Sequence, residues 1–240
     1  MPVGIVTGAS RGLGLALARS LVDDGWSLLV DARGAEALEQ ARSDLEARAR
    51  ARTSPPTVVA LQGDVADPDH RLALIEAATA LGGLDLLVNN ASELGPSPLP
   101  PLADYPLGEL ERVFRVNVVA PLALAQLALP LLRVRRGRVV NLTSDAAVEA
   151  YQGWGGYGSS KAALEQLTLV MATEEDGVKL YVVDPGDMRT AMQQAAFPGE
   201  DISDRPPPES AVPGLRRLID GGEPSGRYRA QDLVAVEAAQ

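Results

Sequence analysis

The chain has 240 residues, a net charge of −10 and no cysteine. The lack of cysteine excludes disulfides, thiolate catalysis and zinc–thiolate sites. The acidic balance disfavours binding to nucleic acid and to anionic lipid. Because His70 is the single histidine, a histidine triad or a metal cluster is disfavoured. We expect His70 to be a solvated helix residue. With 46% hydrophobic and 22% charged residues, the composition is typical of a soluble globular protein, and we expect no metal, nucleic acid or membrane partner.

Short apolar runs alternate with amphipathic stretches along the chain. Helical periodicity follows the first six runs and is clearest over residues 35–50, whereas the apolar stretch 118–132 contains Gln126 and two prolines and predicts a buried helix rather than a membrane span. Strands that are apolar on both faces and separated by helices predict an α/β doubly wound Rossmann fold with a mainly parallel sheet of about seven strands. We expect a single domain over residues 1–240. The predicted strands are residues 3–7, 27–31, 57–62, 84–89, 137–143, 178–184 and 226–231.

A glycine-rich turn, TGASRGLG, follows the first predicted strand. Gly8, Gly12 and Gly14 lack side chains, so backbone N–H groups and a helix N-terminus can approach a pyrophosphate. The turn predicts a dinucleotide site, although tight packing between strand and helix also accounts for glycines here.

The second predicted strand ends in VDARG, where the choice of dinucleotide is usually made. Asp31 could accept hydrogen bonds from a free ribose 2′-hydroxyl, which favours NAD(H). Arg33, together with Arg11 in the glycine turn, favours a 2′-phosphate through charge-assisted contacts. We expect NADP(H) and leave NAD(H) open, because Arg33 could also be a solvated loop residue.

Polar residues follow the later strands at the same predicted edge of the sheet. Asp64 is suited to accept from an adenine amine and Val65 offers backbone contacts, whereas Asn89 and Asn90 also suit a role in tying loops together. Ser144 ends the fifth strand, 13 residues before Tyr157.

Tyr157 and Lys161 are spaced i,i+4 at the start of a predicted helix. A free phenol has a pKa of about 10 and exchanges protons poorly near neutrality. An ammonium one turn away favours the phenolate, so the tyrosine could act as a general acid or base. An isolated pair at this spacing would also fit a purely structural helix face.

The motifs TGASRGLG, GDV, NNA, RVNVVAP, NLTS, YGSSK and PGDMRT, in this order, resemble the short-chain dehydrogenase/reductase family in its single-domain form. The resemblance runs from the first strand to Thr190. It implies hydride transfer between a nicotinamide and a small carbonyl or alcohol, with Tyr157 as acid/base, Ser144 on the substrate oxygen, Lys161 on the ribose and Asn117 holding a relay water. Ser92 departs from the usual NNAG. The positions expected to contact the cofactor are Gly8, Ser10, Arg11, Gly12, Leu13, Gly14, Arg33, Asp64, Val65, Asn90, Ala91, Tyr157, Lys161, Pro185, Gly186, Met188 and Thr190.

The remaining expectations concern the substrate and the assembly. Residues 191–212, rich in proline and acidic residues, predict a mobile substrate lid, and Tyr151 and Trp154 could line the pocket or simply pack in the core. We expect a cytoplasmic protein. The family resemblance implies a homodimer or homotetramer formed through long apolar helices around residues 105–132 and 157–173, although burial under the sheet would also account for their apolar character. A non-catalytic dinucleotide sensor of the same fold is the alternative, but it would not need Ser144, Tyr157 and Lys161 together. An S-adenosylmethionine-dependent methyltransferase shares the architecture but would not explain YGSSK or PGDMRT.

Overall fold

A computed structural model describes residues 1–237 and the side chains of residues 1–234. Over this range the chain forms one sheet of seven strands in the order β3-β2-β1-β4-β5-β6-β7, and every neighbouring pair is parallel. The predicted doubly wound Rossmann fold is therefore confirmed. The strands are β1 Val3–Val6, β2 Ser27–Ala32, β3 Val58–Gln62, β4 Leu86–Asn89, β5 Arg138–Leu142, β6 Lys179–Asp184 and β7 Gly226–Arg229.

Helices connect the strands and cover both faces of the sheet. Helix α2 has the bounds that its periodicity predicts, whereas the long apolar helix predicted around residues 105–132 is interrupted by a π-helical turn at Arg115–Val119. Over the described range the α-helices are α1 Gly12–Asp23, α2 Ala35–Arg50, α3 Pro68–Ala80, α4 Leu107–Phe114, α5 Ala120–Arg135, α6 Gly155–Glu174, α7 Ala191–Ala196, α8 Val212–Asp220 and α9 Ala230–Glu237.

The two faces of the sheet carry separate apolar cores. In β2, Leu28 and Val30 pack on the face covered by α1, α2 and α8, whereas Leu29 packs on the face covered by α3 and α5. This is the period-two alternation of a strand buried on both sides. The central strands are therefore fixed in register by apolar contacts on both faces.

Helix α5 lies in the second of these cores. The helical stretch Leu107–Arg135 is long and apolar enough to cross a membrane by length and composition alone, but 56% of its most apolar 18-residue segment is buried inside the fold. Leu124 and Leu132 of this helix pack with Leu87 of β4 in one core cluster. Their burial agrees with the prediction of a core helix.

The strand order reverses between β1 and β4. Successive strands run outward from β1 to β3 on one side and from β4 to β7 on the other, so the connections diverge and leave a crevice at the carboxyl ends of β1 and β4. Open α/β sheets bind their ligands in this crevice. Five of the seven predicted motifs follow or end the strands β1, β3, β4, β5 and β6 at this edge of the sheet, whereas RVNVVAP and YGSSK lie in helices.

Leu87 is fully buried in β4, and its truncation tests the core. We expect Leu87→Ala to lower the free energy of unfolding by about 2–5 kcal/mol, because it removes buried contacts and leaves a cavity. Leu107→Ala, at a leucine that is 72% exposed, should change it by less than about 0.5 kcal/mol. Urea denaturation followed by circular dichroism would measure both, and equal losses would contradict this description of the core.

Candidate active site

The glycine turn after β1 is shaped by a close approach to the loop after β4. Gly8 and Gly12 have φ values of +65° and +59°, which favour glycine. A Cβ on Gly8 would lie 2.8 Å from the Cα of Ala91, and one on Gly14 would lie 2.8 Å from the Gly8 carbonyl oxygen. Tight packing therefore accounts for Gly8 and Gly14. The turn also lines one wall of a cleft.

This cleft has a volume of about 870 Å³, and both the glycine turn and Tyr157 line it. It brings together nearly all of the predicted cofactor residues, which come from segments far apart in the chain. The predicted residues that line the cleft are Gly8, Ser10, Arg11, Gly12, Leu13, Arg33, Asp64, Val65, Asn90, Ala91, Tyr157, Lys161, Pro185, Met188 and Thr190. Gly14 lies in the first turn of α1, and Gly186 borders the neighbouring cavity.

Asp31 lines the cleft, but both of its carboxylate oxygens already accept hydrogen bonds from the protein. Its side chain is only 1% exposed, and its two oxygens accept hydrogen bonds from the Gly8 N–H at 2.7 Å and from Nε2 of His70 at 2.9 Å. The expectation that His70 is a solvated helix residue is wrong, because the ring is buried between α3 and the end of β2 and is paired with this carboxylate. A partner 39 residues away explains why the local sequence pattern gave no sign of it.

Arg33 stands at the mouth of the cleft. Its side chain is 59% exposed, and its Nη1 lies 3.1 Å from a carboxylate oxygen of Glu93. Arg112 contacts the other oxygen of the same carboxylate. Only Nη1 of the five-donor Arg33 guanidinium is used in this contact with Glu93. Arg11 lines the same cleft.

Other predicted cofactor residues already have structural partners. Asn90 donates from its side chain to the carbonyl oxygens of Thr7 at 2.8 Å and Gly8 at 3.1 Å, while Asn89 donates to Asn141 at 2.7 Å. Asp64 accepts from the Ala66 N–H at 2.9 Å. The asparagines therefore tie the strand ends together, as one of the two sequence interpretations suggested.

The segment after β6 forms the opposite wall of the cleft. Gly186 has a φ of +76°, and its N–H donates to Asp184 at 2.9 Å. Thr190 caps α7 by accepting from the Gln193 N–H at 3.2 Å. Beyond α7, the ring of Phe197 lies 6.0 Å from that of Trp154. The predicted lid therefore begins with a short helix and packs onto the aromatic residues ahead of Tyr157.

Tyr157 and Lys161 lie on the buried side of α6. Burial raises the pKa of Tyr157, whereas the Ser92 side chain lowers it to a smaller extent. Burial lowers the pKa of Lys161 to about 8. The Lys161 Nζ donates to the Leu142 carbonyl oxygen at 2.9 Å and lies 5.4 Å from the centre of the Tyr157 ring. In this structure burial therefore outweighs the predicted effect of the ammonium on the phenol.

Ser144 and Asn117 lie close to this pair, with their hydrogen-bonding groups in use. The Ser144 hydroxyl donates to Asp145 at 2.8 Å. Asn117, within the π-helical turn, donates to the Glu93 carbonyl oxygen at 2.8 Å and to Ser160 at 2.9 Å, and its oxygen accepts from Glu93 N–H and the Ser92 hydroxyl. The amide of Asn117 is thus fully satisfied within the protein.

A second, smaller cavity of about 390 Å³ adjoins the cleft, and Tyr157 lines both. Tyr151 and Trp154 belong to its wall, so the prediction that they line a pocket is supported over simple core packing. Several further wall residues were not singled out individually from the sequence: Leu94, Asp145, Asp184, Met192 and Phe197. Asp145 could have been noticed because it directly follows Ser144.

A buried ionic network beneath this cavity was also not predicted. Glu165 of α6 accepts from the Thr143 hydroxyl at 2.7 Å and from Nε of Arg227 at 3.0 Å. Arg227 in turn donates to the Ser144 carbonyl oxygen at 3.5 Å. The network connects α6, β5 and β7 below the Ser144 backbone, and only the folded chain brings its members together.

The sheet order, the glycine turn in the crevice and the buried Tyr157–Lys161 pair define an oxidoreductase of the Rossmann type. A family model described as short chain dehydrogenase matches residues 2–201, and the chain belongs to the short-chain dehydrogenase/reductase family. Members of this family bind a nicotinamide dinucleotide and act on CH–OH and C=O groups.

Individual relatives agree with this assignment. The chain is similar to a benzil reductase ((S)-benzoin forming) of Saccharomyces cerevisiae, with 33% identity over 79% of this chain and 73% of the relative. It is 31% identical to an NADPH-dependent aldehyde reductase-like protein of Arabidopsis thaliana, over 98% and 85% of the two chains. An alcohol dehydrogenase from Thermococcus sibiricus complexed with 5-hydroxy-NADP superimposes with a TM-score of 0.84, at 25% identity and 95% coverage of both chains.

The burial of Lys161 predicts a pH-dependent contribution to stability. Below about pH 8 both folded and unfolded chains carry the proton, and between about pH 8 and 10.5 only the unfolded chain does. Stability rises with pH wherever the unfolded state binds more protons. The stability of the wild type relative to Lys161→Met should therefore increase by up to about 3 kcal/mol between about pH 7 and pH 10.

Urea midpoints of the two proteins at the two pH values measure this difference. Lys179→Met is the matched control, because Lys179 is exposed at the start of β6 and should show a much smaller pH-dependent difference. If the two lysine variants respond equally to pH, the burial of Lys161 does not govern its protonation.

Proposed function

We propose that this chain is an NADP(H)-dependent oxidoreductase that reduces small neutral carbonyl compounds, with Tyr157 as the proton donor. The observation that carries the proposal is the position of the Tyr157 side chain, which lines both the cofactor cleft and the smaller cavity. A proton donor at this junction can reach a substrate held next to a nicotinamide. The family relationship supports the cleft as the dinucleotide site, and the smaller cavity would then be the substrate site.

The residues of the cleft fit a dinucleotide. Gly8 and Gly14 have no room for a Cβ, and the backbone of the turn can approach a pyrophosphate at the start of α1. Arg33 and Arg11 would hold a 2′-phosphate by charge-assisted hydrogen bonds. Both oxygens of Asp31 already accept hydrogen bonds from the protein, which weakens the case for NAD(H). The bound cofactor supplies the hydride, and the protein supplies orientation and the proton.

Tyr157 is suited to act as an acid. Because burial raises its pKa, the phenol stays protonated near neutral pH and can donate to an oxygen that gains negative charge. Lys161, with a pKa of about 8, is mostly protonated under the same conditions and offers a positive charge beside the ring. The phenol is therefore in the protonated form that reduction uses, and we propose reduction as the main direction because Arg11 and Arg33 favour NADPH.

Ser144 and Asn117 would assist in different ways. The Ser144 hydroxyl has a single proton, now directed to Asp145, so it must rotate away from this carboxylate to bind a substrate oxygen. Asn117 has no free side-chain donor or acceptor, and any water that it holds for proton relay must be bound by its main-chain carbonyl group.

The walls of the substrate cavity favour a neutral, aromatic substrate. Tyr151, Trp154 and Phe197 provide ring surfaces. Among the described residues that line this cavity there is no arginine, lysine or histidine, whereas Asp145, Asp184 and Asp187 carry carboxylates. A phosphate or carboxylate on the substrate would therefore be repelled. The names of the benzil reductase and aldehyde reductase-like relatives are consistent with aryl ketones and aldehydes as substrates.

We further propose that the protein works as a homodimer or homotetramer in the cytoplasm. Val119, Val134 and Val170 are exposed on the π-helical turn, α5 and α6, where a second copy could cover them. Sedimentation velocity on the purified protein distinguishes these assemblies from a monomer.

Replacement of Tyr157 tests the mechanism. We expect Tyr157→Phe to lower kcat for carbonyl reduction by roughly 10²–10⁴-fold, because the proton donor is lost, and to leave NADPH binding largely unchanged. Tyr151→Phe is the matched control, since it removes a phenol from the same cavity without removing the proposed donor. Initial rates of NADPH oxidation measure kcat, and unchanged turnover in Tyr157→Phe would exclude the mechanism.

Replacement of Arg33 tests cofactor choice. We expect Arg33→Ala to weaken NADPH binding by about tenfold or more and NADH binding by much less, because only NADPH carries the 2′-phosphate. Arg50→Ala, at the distant end of α2, controls for the change in net charge. Dissociation constants come from quenching of tryptophan fluorescence. Equal losses for both nucleotides would assign Arg33 a structural role.

A further inference from the structure

A buried, hydrogen-bonded pair of side chains lies directly behind the glycine turn. His70 of α3 is 8% exposed, and its Nε2 is 2.9 Å from Oδ2 of Asp31 in β2. It is the only histidine of the chain. The proposed mechanism does not use this ring, which lies behind the cleft wall.

Asp31 holds the turn through two contacts. Its Oδ1 accepts from the Gly8 N–H at 2.7 Å, and its main-chain carbonyl oxygen accepts from the Ala9 N–H at 3.0 Å. Two consecutive amides at the start of the turn are therefore fixed by one residue. Because Gly8 has a left-handed φ, its peptide orientation depends on such contacts more than on its own sterics.

The direction of the hydrogen bonds follows from the chemistry of the groups. An ionised carboxylate only accepts, so Nε2 of His70 must carry a proton and donate to Asp31. Without this donor, one carboxylate oxygen would be buried and unpaired, which is costly. The carboxylate would then be free to rotate, which weakens its hold on the Gly8 amide.

The end of β3 is built to accept the imidazole. Gly63 follows this strand, and a Cβ at this position would overlap the His70 ring at Nδ1. The ring is thus confined between Gly63 and Asp31. A substitution that adds a Cβ at Gly63 would therefore displace the imidazole while leaving both His70 and Asp31 unchanged.

We propose that His70 is a positioning residue for the dinucleotide, acting through Asp31 to hold the glycine turn in its binding conformation. The inference rests on the proposed dinucleotide site in the cofactor cleft. The pair lies at the diphosphate end of the cleft, away from Tyr157 and Lys161. Its loss therefore raises the dissociation constant of the cofactor and leaves kcat at saturating cofactor unchanged.

The test compares His70→Leu, which removes the donor, with His70→Gln, whose amide nitrogen replaces Nε2. We expect His70→Leu to raise the dissociation constants of NADPH and NADH by roughly tenfold each, since both nucleotides share the diphosphate. His70→Gln should restore most of the affinity, and Gly63→Ala should reproduce the loss. Leu72→Ala, at an exposed position on α3, is the control for nonspecific effects on this helix.

Fluorescence titration, kcat at saturating cofactor and thermal melting are measured on each folded variant. Weakened binding with unchanged kcat, restored by His70→Gln, supports the proposal. If the wild type binds nucleotide and both His70→Leu and Gly63→Ala bind it equally well, the proposal is wrong. If His70→Gln binds as weakly as His70→Leu, hydrogen bonding by His70 is not the cause. A wild type that binds neither nucleotide would overturn the proposed function and, with it, this inference.

Discussion

The close approach of two backbone segments at the end of β1 is the constraint on which the rest of the site depends. Gly8 and Gly14 have no room for a Cβ because the loop after β4 and the turn itself lie against them. Asn90 fixes that approach by donating to the Thr7 and Gly8 carbonyl oxygens. Asp31 holds the same turn from the β2 side. The crevice between β1 and β4 thus acquires a wall made of main-chain atoms.

Helix α6 relates this wall to the proposed chemistry. It carries Tyr157, Lys161 and Glu165 at intervals of four residues, so the three side chains face the sheet together. The first borders both cavities, the second reaches the end of β5, and the third is paired with Arg227 of β7. Burying the charged groups of Lys161 and Glu165 costs stability, and their hydrogen bonds with Leu142 and Arg227 offset part of that cost.

Charge is distributed differently in the two cavities. The cofactor cleft, where an anionic dinucleotide would bind in a protein of net charge −10, has four cationic side chains in its lining beside three carboxylates: Arg11, Arg33, Lys161 and Arg189 against Asp31, Asp64 and Glu93. The described lining of the smaller cavity carries carboxylates and aromatic rings and no cationic side chain. This separation favours an anionic cofactor on one side of Tyr157 and a neutral substrate on the other.

The sequence predicted the fold well because the central strands are buried on both faces and the helices between them keep a clear period. The Tyr157–Lys161 pair was equally predictable from the sequence, since both residues lie on one turn of one helix. Contacts between distant segments could not be predicted from the sequence. The partner of His70 is 39 residues away, and that of Arg33 is 60 residues away. The π-helical turn at Asn117 also went unpredicted, because residues 118–132 retain the apolar character of an ordinary core helix.

The proposed reaction is hydride transfer where the cleft and the smaller cavity meet, beside Tyr157. The most direct measurement uses NADPH deuterated at the hydride-donating carbon, incubated with the purified protein and a panel of neutral aryl ketones, diketones and aldehydes. Mass spectrometry of the products then locates the deuterium. We predict alcohol products labelled at the former carbonyl carbon, in amounts equal to the NADPH consumed. Tight NADPH binding without transfer to any member of the panel would contradict the account and favour a dinucleotide sensor.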